Sequence, residues 1–314
     1  MKSEALPFTL ASVRSVDGTV IATELAGQGP ALVIITGAAQ RGRHYAELGR
    51  ALAHRFTVVL YDRRGRGRSG SGSVGVHDGV AAEVADLCAV VDATGARLAF
   101  GHSAGGMVAL EAARAQPSLF SRIAVYEPGV LLADLAAAGV FATAWLEPFE
   151  RALAAGKAGR AFSLFVDALA LAPPGAMPRP LFHLVVRALL HTPAGAELKA
   201  LLATVPRDLR MALALTGGAA RYHAVAAPTL VLAGDRSAPF LVAAAAAAAR
   251  ALPDARHHVV AGADHIAPLV RARSVAPLLA SFLGAPPAHA PIPNAGYSHD
   301  VRGDDRSEAV GSRP

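Results

Sequence analysis

Short apolar runs alternate with helix-like stretches along most of this chain, and this rhythm limits the folds open to it. Continuous β-branched and aliphatic runs of this length are typical of strands that are buried on both faces of a parallel sheet. Their alternation with helical stretches predicts a doubly wound, mostly parallel α/β sheet. A segment around Asp17-Gly18 adds an antiparallel hairpin at the N-terminal edge. The predicted parallel strands cover residues 31–35, 57–61, 97–101, 122–127, 228–234 and 256–262.

One stretch, residues 130–223, breaks the alternation because it contains Ala/Leu-rich helical patterns and no convincing buried strand. We interpret it as a helical cap inserted into a core made of residues 1–129 and 224–284. The tail, residues 285–314, is rich in Pro, Gly and charge and is predicted to be disordered. Aromatic residues in the insertion are candidates for an apolar substrate pocket, namely Phe141, Trp145 and Phe149.

Composition excludes several classes of protein. The 314 residues are 53% hydrophobic, which is enough for a sizeable core, and the net charge of +6 comes from arginines scattered along the chain. The one arginine cluster, at 62–70, has no interleaved aromatic residues for stacking on bases, so we expect no nucleic-acid partner. No apolar run is long enough to cross a membrane, and the N-terminus does not read as a secretion signal. Since Cys88 is the single cysteine, we expect a cytoplasmic protein with a small-molecule substrate.

The sequence "GHSAG" at 101–105 carries the main candidate for chemistry. It matches the G-x-S-x-G pattern directly after a predicted strand and before a predicted helix. A strained turn of this kind requires small neighbours, and Gly101 and Gly105 supply them. The amides at the start of the following helix point toward any negative charge that develops there. Ser103 is therefore the predicted nucleophile.

A serine hydroxyl needs a base and an acid to become reactive. Among the 12 histidines, His265 follows the last predicted strand, on a loop that can reach the C-terminal edge of the sheet. Asp235 follows the strand at 228–234 and is the predicted acid. Glu127 follows the strand at 122–127 and is the alternative acid for the same histidine. The order Ser103, Asp235, His265 is that of the α/β-hydrolases.

The chain resembles the α/β-hydrolase superfamily across residues 13–283, in its serine-nucleophile, esterase/haloperoxidase-like branch. The resemblance implies the α/β-hydrolase fold, and it makes the arginine cluster a structural turn tied by Asp62 and Arg64. The motifs that carry it are "VDGTVIATELAGQGPALVIITG", "VVLYDRRGRGRSG", "FGHSAGG", "PTLVLAGDRS" and "GADH".

The resemblance also implies an oxyanion hole built from backbone amides. By position the donors are Ala104 and Ala38, with Ala39 as a further candidate, beside Gly37. The family usually has His-Gly at this point, whereas here Thr36 stands in place of the histidine. Backbone donors do not depend on that imidazole, so we expect the hole to be retained.

These features predict a serine hydrolase that cleaves an ester-like bond of a small, largely apolar substrate through an acyl-enzyme. Ser103 argues against relatives that open epoxides or displace halide, because those use aspartate at this turn. The alternatives are a ligand-binding member of the fold with little or no catalysis, and a cyclase or acyltransferase that uses the same triad. No cofactor or metal is predicted, and the oligomeric state is left open.

Overall fold

The fold centres on one mixed sheet of eight strands. A computed structural model describes residues 7–72, 79–130, 143–171, 178–217 and 219–284. Within them the strand order is β1-β2-β4-β3-β5-β6-β7-β8. The strands are β1 Thr9–Arg14, β2 Val20–Ala26, β3 Ala31–Ile35, β4 Thr57–Tyr61, β5 Leu98–His102, β6 Arg122–Tyr126, β7 Thr229–Gly234 and β8 Ala255–Val260.

The predicted fold class is confirmed by this topology. β1 pairs antiparallel with β2 across the Asp17-Gly18 turn, and β2 pairs antiparallel with β4. All remaining pairs, from β4 through β3 and β5 to β8, are parallel. The carboxyl ends of these parallel strands therefore meet at one edge of the sheet, where ligands bind in open α/β folds.

Alternate residues of the parallel strands face two separate apolar layers. On one side, side chains such as Val33, Val59 and Val125 pack against three helices. On the other side, Leu32, Leu60 and Phe100 pack against two more helices. Burial on both faces explains why the parallel strands other than β8 appear in the sequence as continuous apolar runs, whereas residues 256–259 of the edge strand β8 are exposed. The first layer uses α2 Val80–Thr94, α3 Ala104–Ala115 and α9 Pro239–Ala251, and the second uses α1 Ala46–Leu52 and α11 Ala272–Leu283.

The elements of secondary structure that the structure describes between β6 and β7 are all helices, joined by turns and loops. The predicted tail at 285–314 lies outside the described residues, as do 131–142, 172–177 and Gly218 within the predicted insertion. The division into core, cap and tail therefore stays a prediction. The helices of this segment are α4 Leu146–Ala154, α5 Ala158–Ala168, α6 Arg179–Leu189, α7 Pro193–Leu202 and α8 Val205–Ala214, followed by a 3-10 helix at Ala219–Ala224. A short α10, Ala267–Val270, precedes α11.

The arginine cluster at 62–70 has structural contacts. Asp62 accepts hydrogen bonds from the Gly42 and Arg68 backbone N–H groups, both at 2.9 Å. Arg64 binds both carboxylate oxygens of Asp86 through two nitrogens, at 2.5 and 2.6 Å. These contacts fix the turn after β4, so the cluster is a folded loop and not a free cationic surface.

A buried ion network joins this turn to α8. Arg63 lies 2.9 Å from Glu83 on α2 and 2.8 Å from Asp208 on α8, and Arg66 lies 2.6 Å from the other oxygen of Asp208. Burial alone would raise the pKa of both carboxyls, but attraction to Arg63 and Arg66 outweighs it and lowers their pKa below the ordinary value. Both acids are therefore ionised, and they hold the helical segment to the sheet.

Replacing Glu83 with Gln is expected to destabilise the fold strongly. The substitution keeps the shape of the side chain but leaves buried Arg63 and Arg66 short of one negative charge. Breaking a buried pair from one side costs about 3–5 kcal/mol. The measurement is the free energy of unfolding from urea titrations at pH 7. A matched control is Glu147→Gln, whose partner is Arg151 and whose carboxylate is 78% exposed, with an expected loss below about 1 kcal/mol.

The free energy of unfolding of wild type and of Glu83→Gln, measured as a function of pH, gives a second test of the role of Glu83. Since the folded-state pKa of Glu83 lies below its unfolded value, its contribution is complete above the ordinary carboxyl pKa of about 4.3 and is lost as pH falls through the folded-state value. The stability gap between wild type and Glu83→Gln should narrow in acid. A gap that stays constant, or one equal to that of Glu147→Gln, would contradict the assigned role.

Candidate active site

Ser103 occupies a sharp turn between β5 and α3. Its backbone has φ +52° and ψ −120°, a conformation that non-glycine residues rarely adopt. The surroundings hold it there: the Ser103 N–H donates to the Tyr126 carbonyl at 2.9 Å, and the Ser103 carbonyl accepts from Gly106 and Gly129 N–H, both at 2.9 Å. The turn carries Ser103 out of the sheet at the edge where the parallel strands end.

The glycines on both sides of the serine are required by close backbone contacts. A Cβ atom on Gly105 would lie 2.2 Å from the Ile35 carbonyl oxygen, and one on Gly101 would lie 2.6 Å from the Gly106 Cα. Side-chain carbons do not approach backbone atoms so closely. The G-x-S-x-G pattern therefore allows α3 to pack directly against β3 and β5.

His265 lies on the loop after β8 and forms a buried pair with Glu127. The imidazole Nδ1 is 2.6 Å from Glu127 Oε2, and the Glu127 side chain is fully buried. The other carboxylate oxygen of Glu127 accepts from the Gly234 N–H at 2.7 Å. Glu127 itself has φ +44°, and its N–H donates to the Leu232 carbonyl at 2.8 Å. This turn after β6 points the carboxylate at the histidine loop.

Asp235, the first choice of acid from the sequence, does not contact His265. Its residue is exposed, and its carboxylate accepts from the Gly262 N–H at 2.7 Å, which ties the turn after β8. The structure thus pairs the histidine with the alternative acid, Glu127. Glu127 and Asp235 each come one residue after the end of a strand, and the two strands are neighbours. Position along the sequence therefore does not show which of the two acids faces His265. The positive φ of Glu127 turns its side chain inward, whereas Asp235 continues the β7–β8 ladder through its N–H to Val260.

The loop after β3 runs beside the serine. A Cβ on Gly37 would lie 3.3 Å from the Ser103 Cβ. The Gly37 N–H donates to Tyr45 Oη and Gln40 Oε1, both at 3.2 Å, so this residue, expected beside the oxyanion hole, is not itself a free donor. Ala38 and Ala104 both line the same cavity as Ser103.

Ala39, the further candidate donor, has φ +53° and packs against the apolar core of the helical segment. Within the described residues, the backbone N–H groups of Ala38, Ala39 and Ala104 make no hydrogen bond to another protein group. Of these three residues, Ala38 and Ala104 line the cavity together with Ser103, and Ala39 does not. The carbonyl of Thr36, which stands in place of the family's usual histidine, accepts from buried Arg63 at 3.2 Å.

An apolar cavity of about 100 Å³ opens over Ser103. Sequence analysis missed most of its walls, because they come from segments far apart in the chain and share no linear signal. Among its lining residues, Ser103, Asp208 and the indole N–H of Trp145 supply the polar side-chain atoms. The apolar walls include Met107 of α3, Trp145 and Phe165 of the helical segment, Val205, Leu209 and Ala212 of α8, and Phe240, Leu241 and Ala244 of α9.

The three residues predicted for the substrate pocket differ in their position relative to the cavity. Trp145 lines the cavity. Phe149 does not: it is fully buried and packs edge-on against Trp145, with ring centroids 5.5 Å apart, so it supports the wall from behind. Phe141 lies outside the described residues.

Two features are absent from the described part of the chain, a metal-binding cluster and a membrane-spanning helix. No group of three or more His, Cys, Asp or Glu side chains there is arranged to hold a metal ion. No helix in that part of the chain has both the length and the apolar character needed to cross a bilayer.

Solved structures with this architecture include an alpha/beta hydrolase from Sphaerobacter thermophilus DSM 20745. It is 31% identical, with a TM-score of 0.70, over 87% of this chain and 99% of that one. A bromoperoxidase from Bacillus anthracis superposes with a TM-score of 0.69 over 88% of this chain and 100% of its own, and its 17% identity supports the fold alone.

Among curated proteins, RutD of Agrobacterium fabrum, named as a carbamate hydrolase, is 31% identical over 98 residues. An uncharacterized protein of Mycobacterium bovis is 32% identical over 133 residues. The matches cover 31% and 42% of this chain, and they span only 37% and 38% of the two relatives. The model of the alpha/beta hydrolase family matches residues 32–278, from β3 into α11. With its sheet order, its serine turn and this match over most of its length, the chain belongs to the alpha/beta hydrolase family.

Proposed function

We propose that this protein is a serine hydrolase that cleaves an ester-like bond of a small, largely apolar molecule through an acyl-enzyme. The observation that carries the proposal is the buried contact of 2.6 Å between His265 and Glu127. The His265 ring lies 4.8 Å, centroid to centroid, from the ring of His102, the residue that precedes Ser103. We infer that this base, with its acid partner, acts on Ser103 in its strained turn, because a base paired in this way activates a hydroxyl.

In the proposed reaction His265 acts as general base. Its Nδ1–H donates to Glu127, which leaves Nε2 to take the proton of Ser103 as the serine oxygen attacks the acyl carbonyl. The oxyanion of the tetrahedral intermediate accepts hydrogen bonds from the Ala38 and Ala104 N–H groups. His265 then gives its proton to the leaving group. In the second half, His265 takes a proton from water as the water oxygen attacks the acyl carbonyl. The Ser103 oxygen then leaves and takes that proton from His265, which releases the acid product.

Glu127 takes the role of acid in this proposal. Its two carboxylate oxygens have separate partners, Gly234 N–H and His265 Nδ1, so the group is fixed in orientation. A fixed carboxylate selects the imidazole tautomer with hydrogen on Nδ1 and stabilises the imidazolium that forms during acyl transfer. Asp235 then has a structural role in the neighbouring loop.

The cavity supports a small, apolar substrate. Its volume of about 100 Å³ is of the same order as that of an engineered apolar cavity of ~150 Å³ that binds benzene. A short acyl chain would fill it, and the apolar walls offer little to a charged one. The helical segment between β6 and β7 supplies much of the wall, so we assign it the role of a cap. The cytoplasm remains the compartment we propose.

An organophosphonate probe is expected to label Ser103. Such probes need an activated nucleophile, so Ser103→Ala should abolish labelling and His265→Ala should slow it by about 10³-fold or more. Mass spectrometry of the labelled peptide is the measurement. Ser281→Ala removes an exposed serine on α11 and should leave labelling unchanged. An unlabelled wild-type protein that still binds apolar esters would favour a ligand-binding role instead.

Exchanging each carboxylate in turn distinguishes the two acids. Glu127→Gln should lower kcat for a p-nitrophenyl ester by about 10³–10⁴-fold, because the amide can hold the wrong imidazole tautomer. Asp235→Asn keeps an oxygen that can accept from the Gly262 N–H, so kcat should stay within a few-fold of wild type. Thermal unfolding of both variants controls for folding. The reverse ranking of the two variants would return the role to Asp235.

The size of the cavity predicts a preference for short acyl chains. Across p-nitrophenyl esters of rising length, kcat/KM should peak at short chains and fall as the acyl group outgrows the cavity, since each methylene is worth about 1–3 kcal/mol. Leu209→Ala enlarges the cavity and should move the peak to longer chains. Leu213→Ala on the same helix, α8, lies off the cavity wall and should not. A profile that rises steadily with chain length would contradict the assignment.

A further inference from the structure

A buried chain of hydrogen bonds connects the loop after β3 to the histidine loop. The Gly37 N–H donates to Tyr45 Oη at 3.2 Å, Tyr45 Oη lies 2.6 Å from His102 Nδ1, and His102 Nε2 lies 2.8 Å from the His265 carbonyl oxygen. The Tyr45 and His102 side chains are completely buried. Neither takes part in the proposed acyl transfer, and buried polar groups of this kind act on their surroundings through hydrogen bonds.

The direction of each hydrogen bond in the chain follows from the inventory of donors. A carbonyl oxygen only accepts, so the nitrogen of His102 that faces His265 must carry a hydrogen. Burial lowers the pKa of His102 well below its ordinary value, so the ring is neutral and its Nδ1 has no hydrogen. Tyr45 must then donate to Nδ1. Burial raises the pKa of Tyr45 above its ordinary value, which keeps that hydroxyl protonated.

Gln40 is the competing partner of the Tyr45 hydroxyl, which it also contacts. Tyr45 has one proton, and giving it to Gln40 would leave the buried Nδ1 of His102 without a donor, at a cost of about 1–3 kcal/mol. The Gln40 amide carries donors of its own and can turn its NH2 group to the tyrosine oxygen, in which case the Gly37 N–H donates to Tyr45 Oη alone. The arrangement that satisfies all three side chains has Tyr45 donating to His102.

We propose that Tyr45 and His102 are positioning residues that couple the two halves of the proposed site. At one end the chain holds Gly37, which is followed by the amide of Ala38 assigned to the oxyanion. At the other end it holds the backbone of His265, the assigned base. This proposal rests on the proposed function, since it assigns to one hydrogen-bond chain the alignment of oxyanion donor and base.

The kinetic test is Tyr45→Phe, which keeps the ring and removes the hydroxyl. We expect kcat for a short p-nitrophenyl ester, and the rate of Ser103 phosphonylation, to fall by about 10–100-fold, because small misplacements of catalytic groups cost about that much. KM should change by less than about threefold, since neither residue lines the cavity. Tyr61→Phe is the matched control: it also removes a fully buried hydroxyl, one that has no hydrogen-bond partner among the described residues.

A second pair of variants separates positioning from packing. His102→Gln can still accept from Tyr45 and donate to the His265 carbonyl, whereas His102→Leu can do neither. The glutamine variant should retain at least tenfold more activity than the leucine variant. Equal losses in the two, or a Tyr45→Phe enzyme with the kcat of Tyr61→Phe, would overturn the positioning role.

A spectroscopic readout makes the outcome independent of ester cleavage. In ¹⁵N spectra of labelled histidine, assigned with His102→Gln, His102 should show hydrogen on Nε2 and none on Nδ1 from pH 6 to 8, and Tyr45→Phe should shift its Nδ1 signal. Hydrogen on Nδ1 in the wild type, or a spectrum unchanged by Tyr45→Phe, would overturn the assigned chain. If the proposed function itself is wrong, the result is different: an organophosphonate does not label Ser103 of the wild-type protein.

Discussion

A close approach between the serine turn and the neighbouring strand governs the arrangement of the proposed site. Gly105 stands so near the Ile35 carbonyl that a single added carbon would lie 2.2 Å from it. That contact lets α3 begin directly against β3, immediately after the strained turn of Ser103. Because β3 is followed at once by the loop of Gly37 and Ala38, the same packing brings backbone amides beside the serine. The proposed nucleophile and the proposed oxyanion donors are thus brought together by one steric fit.

Buried charged side chains form two separate groups around the serine turn. Arg63, Arg66, Glu83 and Asp208 form a compensated network, and buried ions are tolerated when each is paired and hydrogen-bonded. The network fixes α8 to the turn after β4, and Asp208 also lines the cavity over Ser103. A second buried carboxylate, that of Glu127, contacts His265. One group of charges therefore holds the cavity wall, and the other orients the histidine that we propose as the base.

The sheet was predictable because burial on both faces leaves a continuous apolar signature. The predicted runs at 31–35 and 57–61 coincide with β3 and β4, and the other parallel strands differ from prediction by one or two residues at their ends. The helical stretch after β8 is divided into α10 and α11 at Arg271, where φ is −133°. Nothing in the local sequence marks that break. The turn at Ser103 was equally predictable, because the spacing of the serine and its glycines encodes a turn that few sequences can form.

The sequence by itself determined the order of strands and helices, the position of Ser103 at a strained turn and the placement of His265 after the last strand. Each of these is local: it depends on the polarity or size of residues within a few positions of one another. Only the tertiary structure decided that Glu127, and not Asp235, faces His265, that Gly37 gives its N–H to Tyr45, and which side chains wall the cavity. These outcomes depend on how side chains from distant segments point once the sheet is assembled, and backbone dihedral angles such as the positive φ of Glu127 leave no mark in the order of residues.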